Sequence, residues 1–250
     1  MPVLFTLKKR SLISGFCLFA LSSASHSGRP MVVDDAALVS PKTCQLETWA
    51  QHNSDSKEYW ATPACNFGGN FEFAVGLGRV NDDTEHVSYA TLQGKTLLKP
   101  LETNDWGIGF SFGTQINTKD SSNKDWTINV PLSVSTLDDK FLIHANLGWL
   151  RENTTHKNQT TWGIGTETQL THPLTFTAEV YGNDRNDAFY QTGVRYMVYK
   201  GLVQINASYG DQISHHDNTF FSVGFVFLTK PGEFKHEVRQ FEKSYDNQQA

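Results

Sequence analysis

Large apolar and small polar residues alternate strictly between residues 105 and 139, where the pattern of the chain is clearest. From 106 to 116 the aromatic and aliphatic residues occupy the even positions, while Gly, Ser and Gln occupy most odd ones. The same alternation returns from 126 to 134 after a polar break. A period of two predicts β-strands, because successive side chains of a strand point to opposite faces of the sheet.

The second face of these strands is small and polar and has almost no charge. Segments of about ten residues with one apolar face and one small polar face are typical of strands that lie between lipid and a lumen. Four tryptophans near the predicted strand ends fit the aromatic girdles of such proteins. They are Trp106, Trp126, Trp149 and Trp162.

The alternation extends over most of the chain and predicts twelve strands. Their predicted ranges are 44–51, 57–65, 70–80, 85–98, 105–117, 125–136, 140–151, 160–170, 173–183, 188–199, 201–209 and 218–228. No stretch among them has the 3.6-residue period of a substantial helix. Pro63 and Pro131 fall inside predicted strands, and since proline cannot donate to a ladder, we expect a β-bulge at each.

The connections between the predicted strands form two alternating classes. Longer polar segments such as VNDDTEH (80–86) and NTKDSSNK (117–124) alternate with tight turns such as LDD (137–139) and THP (171–173). Transmembrane barrels have long outer loops and short periplasmic turns. An even number of strands also lets the sheet close and leaves no free edge. The predicted fold is therefore an all-β, transmembrane, up-and-down antiparallel β-barrel of about twelve strands.

The ends of the chain differ from the barrel. Residues 1–24 place Lys8, Lys9 and Arg10 before an apolar run, as in a secretory signal peptide. We then expect a periplasmic N-terminal segment at 25–43, the barrel at 44–228, and a polar periplasmic tail at 229–250. The mean hydropathy of −0.41 and the lack of a long apolar run exclude a helical membrane protein.

Charge and composition exclude several functions. Removal of the signal changes the formal net charge from −5 to −8, so no basic stripe is left to bind nucleic acid. No cofactor or metal site is predicted, because the motif HHD at 215–217 is typical of a solvated loop. No serine lies in a recognisable nucleophile context, and we expect no enzymatic activity.

Two cysteines remain after signal removal, Cys44 and Cys65. An even pair in an exported chain predicts a disulfide, with two buried free thiols as the alternative. Because Cys44 begins the first strand and Cys65 ends the second, an antiparallel hairpin would place them opposite each other.

The alternation places several ionisable residues inside the barrel, since charge on the lipid face is costly. The candidate lumen-lining residues are Glu47, Glu72, Lys95, His144, Glu167, Glu179 and Arg195. We expect Lys95 to contact Glu72 and Glu47 on one wall, and Arg195 to contact Glu179 and Glu167 on the other. These charges either line a solute path or form a salt-bridged plug that keeps a narrow barrel shut.

Four sequence motifs resemble proteobacterial outer-membrane proteins related to the phenol meta-pathway (MetA-type) family. They are GRPMVVDDA at 28–36, CQLETWA at 44–50, EYWATPACN at 58–66 and QGKTLLKP at 93–100. Beyond residue 100 the likeness is one of barrel character only. The resemblance implies a transporter-like barrel and supplies no catalytic residues.

The preferred functional hypothesis is a channel or transporter for a small solute in the bacterial outer membrane. The expected partners are outer-membrane lipid, lipopolysaccharide and the solute. One alternative is a structural or interaction barrel with a closed lumen. The other is a soluble periplasmic β-barrel that binds a small apolar ligand.

Overall fold

A computed structural model describes residues 31–229, except 83–84, 122, 186–187, 199–200 and 215–217. The predicted signal peptide, the HHD motif and all but the first residue of the predicted tail lie outside these residues. In the part of the chain that is described, no helix is long and apolar enough to cross a membrane.

Twelve antiparallel strands form one closed barrel, as predicted. The strands are β1 (Thr43–Asn53), β2 (Ser56–Asn66), β3 (Glu72–Asp82), β4 (His86–Lys99), β5 (Trp106–Asn117), β6 (Lys124–Thr136), β7 (Phe141–Glu152), β8 (Lys157–Thr171), β9 (Leu174–Asn183), β10 (Phe189–Val198), β11 (Val203–Gln212) and β12 (Phe220–Leu228). Each strand pairs with its neighbours in sequence, and β12 pairs with β1 to close the sheet. Closure leaves no unpaired edge.

The two proline positions do not form bulges, so this expectation is wrong. Around Pro63 the pairing of β2 with β3 is interrupted between Ala61 and Ala64, but the register is the same on both sides. The pairing of β5 with β6 is interrupted in the same way beside Pro131. A missing N–H opens the ladder locally without needing an extra residue. The register shifts occur elsewhere, at Leu97/Lys99 and Gln169/Thr171.

The two faces of the barrel follow the alternation in the sequence. On β5, Phe112 is 50% exposed on the outer face, whereas Ser111 is buried on the inner face. The four tryptophans at the strand ends all lie on the outside and are 38% to 51% exposed. The outer surface is therefore apolar and aromatic, and the buried polar residues line the lumen.

The connections do not form the two length classes that were predicted. At the end that we call the loop end they have two to seven residues, including 118–123 between β5 and β6. At the other end, which we call the turn end, they have two to six residues, including 137–140 and 172–173. The strands continue into several of the polar segments that were predicted as loops. Leu137, Asp138 and Asp139 all have positive φ, which lets the chain reverse tightly between β6 and β7.

The disulfide between Cys44 and Cys65 is present. The two residues are direct partners in the antiparallel pairing of β1 with β2, and their Cα atoms are 4.1 Å apart. The bridge ties the first hairpin together at the turn end.

Residues 31–42 form a segment that lies inside the barrel as far as Ser40, with Pro41 and Lys42 exposed, and we call it the plug segment. Met31, Val33, Asp34 and Ala36 are at most 2% exposed. The segment meets β1 at the turn end, where Lys42 N donates to Asn66 O at 2.7 Å. Of the segment 25–43 that was predicted to be periplasmic, residues 25–30 lie outside the described part of the chain. The small inner residues of the wall leave room for a whole length of chain.

Candidate functional site: the occupied lumen

The wall binds the backbone of the plug segment through acceptors on several strands. The Glu179 carboxylate on β9 accepts hydrogen bonds from Val32 N at 2.8 and 3.0 Å and from Val33 N at 2.8 Å. On the opposite side, Glu72 on β3 accepts from Val39 N at 2.6 Å. These carboxylates satisfy amide groups that would otherwise be buried without partners.

Two further wall residues bind the middle of the plug segment. Asn146 on β7 accepts from Asp34 N and donates to Asp34 O, both at 2.7 Å. Ser133 on β6 accepts from Ala36 N at 2.8 Å. Contacts on β3, β6, β7 and β9 thus fix the extended backbone from several sides.

Lys95 on β4 is the main electrostatic contact of the segment. Its Nζ lies 2.7 Å from Asp34 Oδ1 and 3.0 Å from Asp35 Oδ1. Lys95 is 2% exposed and Asp34 is 0% exposed. An ion pair this deeply buried needs both partners, since either charge alone would be desolvated without compensation.

The apolar side chains of the segment pack on a flat part of the wall made by two glycines of β8. A Cβ at Gly163 would come 2.6 Å from Val33 Cγ2, and a Cβ at Gly165 would come 2.4 Å from Met31 Cε. Such distances are too short for two carbon atoms. A side chain at Gly163 would therefore force Val33 to shift, whereas Met31 Cε at Gly165 is the end of a flexible side chain.

A second polar cluster lies on β6 to β10. Arg195 donates to Glu167 Oε2 at 2.7 Å, and His144 Nε2 lies 3.4 Å from Glu167 Oε1. Ser133 Oγ lies 2.7 Å from His144 Nδ1. The same hydroxyl accepts from Ala36 N of the plug segment. The cluster connects the wall to the segment through hydrogen bonds.

The structure places all seven candidate residues in the lumen, but with different partners. Lys95 pairs with the plug segment, although Glu72 is its direct neighbour in the β3–β4 register. Glu47 is buried and accepts from Gln45 Nε2 at 3.0 Å. Arg195 contacts Glu167 as expected. Glu179, expected to contact Arg195, accepts the amides of the segment.

Sequence reasoning missed the plug segment because it has no strand alternation. The motif GRPMVVDDA contained a signal for it. Its two adjacent acids, Asp34 and Asp35, can pair with a lysine inside the barrel, and the preceding valines, Val32 and Val33, can pack on an apolar surface.

A scan of family models matches residues 16–227 to the family described as "Uncharacterised conserved protein UCP029691". The chain belongs to this family. No curated protein matches the sequence. Neither comparison tests the resemblance to MetA-type proteins, which stays a prediction from the sequence motifs.

Among solved structures, the fold of this family member is similar to small porins. The KdgM porin has a TM-score of 0.61 and 10% identity, over 73% of this chain and 98% of that chain. The NanC porin has a TM-score of 0.57 and 11% identity, over 73% and 98%. The outer membrane protein Omp33 of Acinetobacter baumannii has a TM-score of 0.52 and 10% identity, over 74% and 97%. At these identities the likeness shows the fold.

The loop end of the lumen has a distinct surface of stacked aromatic rings. Trp49 stacks on Trp60 with centroids 5.7 Å apart, and Trp60 stacks on Tyr89 at 6.3 Å. Trp60 covers Gly78 on β3, where a Cβ would come 2.3 Å from its ring. Its Nε1 donates to Glu58 Oε2 at 3.0 Å. Among the described residues, no cluster suited to a metal ion is present.

Proposed function

We propose that the protein is a bacterial outer-membrane channel for a small solute, in which the plug segment closes the lumen and leaves it when the channel opens. One observation carries this proposal. The lumen of the barrel is occupied by a separate length of chain, residues 31–42, rather than by large side chains of the wall.

The outer surface supports location in a membrane. Large apolar side chains on many strands face outward, for example Leu77 at 64%, Leu147 at 63% and Ile164 at 57% exposure. Monomeric soluble proteins rarely expose such large continuous apolar surface. This favours a membrane barrel in contact with lipid and lipopolysaccharide over a soluble periplasmic barrel.

The composition of the wall supports passage of a solute. Two inner positions on β8, Gly163 and Gly165, are glycines that lie against Val33 and Met31 of the plug segment. Without the segment, the wall at these two positions would leave open space. The similar KdgM porin is also known in complex with disordered oligogalacturonate, which supports a role of this fold in binding a solute. The MetA-type resemblance agrees with a transport role.

The closed-lumen structural barrel is the second candidate, and the dense contacts of the plug segment favour it. A permanent plug would be held by buried hydrogen bonds of this kind. The channel and the closed barrel differ in whether the plug segment can leave the lumen.

We also propose that the protein is not an enzyme. The Ser133 hydroxyl, which contacts a histidine, is 0% exposed and lies against the backbone of the plug segment. A nucleophile needs access to its substrate. The contacts of Ser133 fit a role in holding the segment.

Conductance of the full chain in planar bilayers tests the proposal. We expect low conductance for the wild type and higher conductance for Lys95→Met, which leaves buried Asp34 without its cation. Lys99→Met is the matched control, because this lysine of the same strand pairs with Asp105 outside the lumen, at 2.5 Å. If wild type and Lys95→Met both fold but neither conducts, the closed barrel is the correct description.

A further inference from the structure

We propose that the solute is a small organic cation with several N–H donors. This inference rests on the proposed channel function and adds the chemical class of the solute.

The plug segment shows what the wall accepts. Its amide N–H groups at Val32, Val33 and Val39 bind the carboxylates Glu179 and Glu72. When the segment leaves, these carboxylates lose the donors at Val32, Val33 and Val39 in a confined space. A solute that supplies N–H groups restores those hydrogen bonds, whereas a polyanion cannot. Bonds from a charged donor would also be stronger than those from a neutral amide.

The wall has an excess of negative charge along the whole lumen. By register and alternation, the inward carboxylates on described strand residues are Glu47, Glu58, Glu72, Asp82, Asp125, Glu152, Glu167 and Glu179. The inward cations on described strand residues are Lys95, Lys157 and Arg195. A cleft lined by one sign of charge concentrates ions of the opposite sign, and carboxylates around a pore favour cations.

The loop end combines this charge with the aromatic stack. Glu58 accepts from Asn53 Nδ2 at 2.9 Å, and Asp125 accepts from Asn153 N at 2.9 Å. Both partners are neutral, and no ion pair between described residues includes either carboxylate. The half-buried ring of Tyr89 lies on the same wall, stacked on the buried ring of Trp60, and aromatic faces attract organic cations.

Zero-current potentials in planar bilayers test this class of solute. The double variant Gly163→Val/Gly165→Val is used because its side chains overlap the positions of Val33 and Met31 without changing any charge. A variant lacking residues 31–38 serves as a second open form if the double variant does not fold. The potential is measured across a gradient of KCl and across a gradient of L-argininamide chloride. In both we expect the sign of the potential that corresponds to a preference for the cation over chloride.

A charge-neutral change at the loop end gives the matched comparison. Adding Glu58→Gln and Asp125→Asn to the open form should lower the permeability ratio of cation to chloride about twofold. Glu102→Gln, on the exposed turn 100–105, should leave the ratio unchanged. Chloride preference in a conducting open form overturns this inference alone. Absence of conductance in both open forms overturns the channel proposal as well, and with it this inference.

Discussion

Lys95 shows how far a single residue can be understood from the sequence. Alternation alone places it inside the barrel, because an ammonium on the lipid face would be unstable. Its partners, however, lie in a segment without alternation, 60 and 61 residues earlier in the chain. Pattern within strands therefore predicts which face a side chain occupies, but not which residues from outside the sheet bind it.

Replacement of Lys95 by Met should loosen the plug segment. Asp34 would remain buried without its cation, a defect that typically costs about 3–5 kcal/mol. A cysteine introduced at Ala37, a half-buried position of the segment, reports how accessible the segment is to a thiol reagent. We expect maleimide to label Ala37→Cys faster in the Lys95→Met background than in the wild-type background.

The control for this experiment is Lys99→Met in the same Ala37→Cys background. Lys99 pairs with an exposed aspartate and lies over the ring of Trp106 at 4.6 Å, outside the lumen. Its loss should leave the labelling rate unchanged. Equal labelling rates for Lys95→Met and Lys99→Met would show that the Lys95 ion pairs do not hold the segment.

At the scale of the strand, alternation gave the number, order and faces of the elements. It was less informative about local ladder geometry, because a proline disrupts hydrogen bonding without setting the register. The bounds of β11 also differ, since the strand begins at Val203 rather than at the predicted residue 201 and continues to Gln212. Turn residues near a strand end are polar like the residues of the strand's inner face, so alternation alone does not mark where a strand ends.

Neighbouring residues of β6 provide a test of the two faces. Ile128 is 40% exposed on the outer face, and Thr127 faces the lumen beside Gly113. Arginine at a lipid-facing position near the midplane costs about 2–4 kcal/mol. We expect Ile128→Arg to reduce insertion into liposomes and Thr127→Arg to insert like the wild type, as measured by protease protection. Equal insertion of both variants would contradict the assigned faces.

The disulfide should stabilise the first hairpin. The bridge closes a loop with a sequence separation of 21 residues, for which the chain-entropy model gives about 3 kcal/mol. We expect Cys44→Ser/Cys65→Ser to unfold at lower urea concentration than the wild type. The wild type in reductant should match the double variant, and identical midpoints under oxidising conditions would contradict this role.

At the scale of the whole molecule, the closed twelve-strand barrel could be predicted, since an even set of amphipathic strands has few other ways to pair every edge. What fills the lumen could not be predicted. The inner residues are compatible with water, a solute or a chain segment, and only the three-dimensional arrangement shows that residues 31–42 fit there.

The barrel should fold without the plug segment. All twelve strand pairings are made between wall residues, and the closing pair β1–β12 involves none of residues 31–42. We expect a variant lacking residues 31–38 to keep the heat-dependent shift in electrophoretic mobility that folded barrels show in detergent. Loss of that shift would mean that the segment acts as a core that the strands need in order to assemble.

The position of the plug segment also has a consequence for the order of assembly. The segment precedes every strand in the chain, yet its hydrogen bonds to Glu179 span 146 and 147 residues. Contacts so distant in sequence form late, because the entropy of closing the intervening loop must first be overcome. The first part of the barrel region to leave the ribosome is therefore among the last to become ordered. Until β9 has joined the sheet, the nascent barrel has an unfilled interior, and the apolar residues of the plug segment remain exposed.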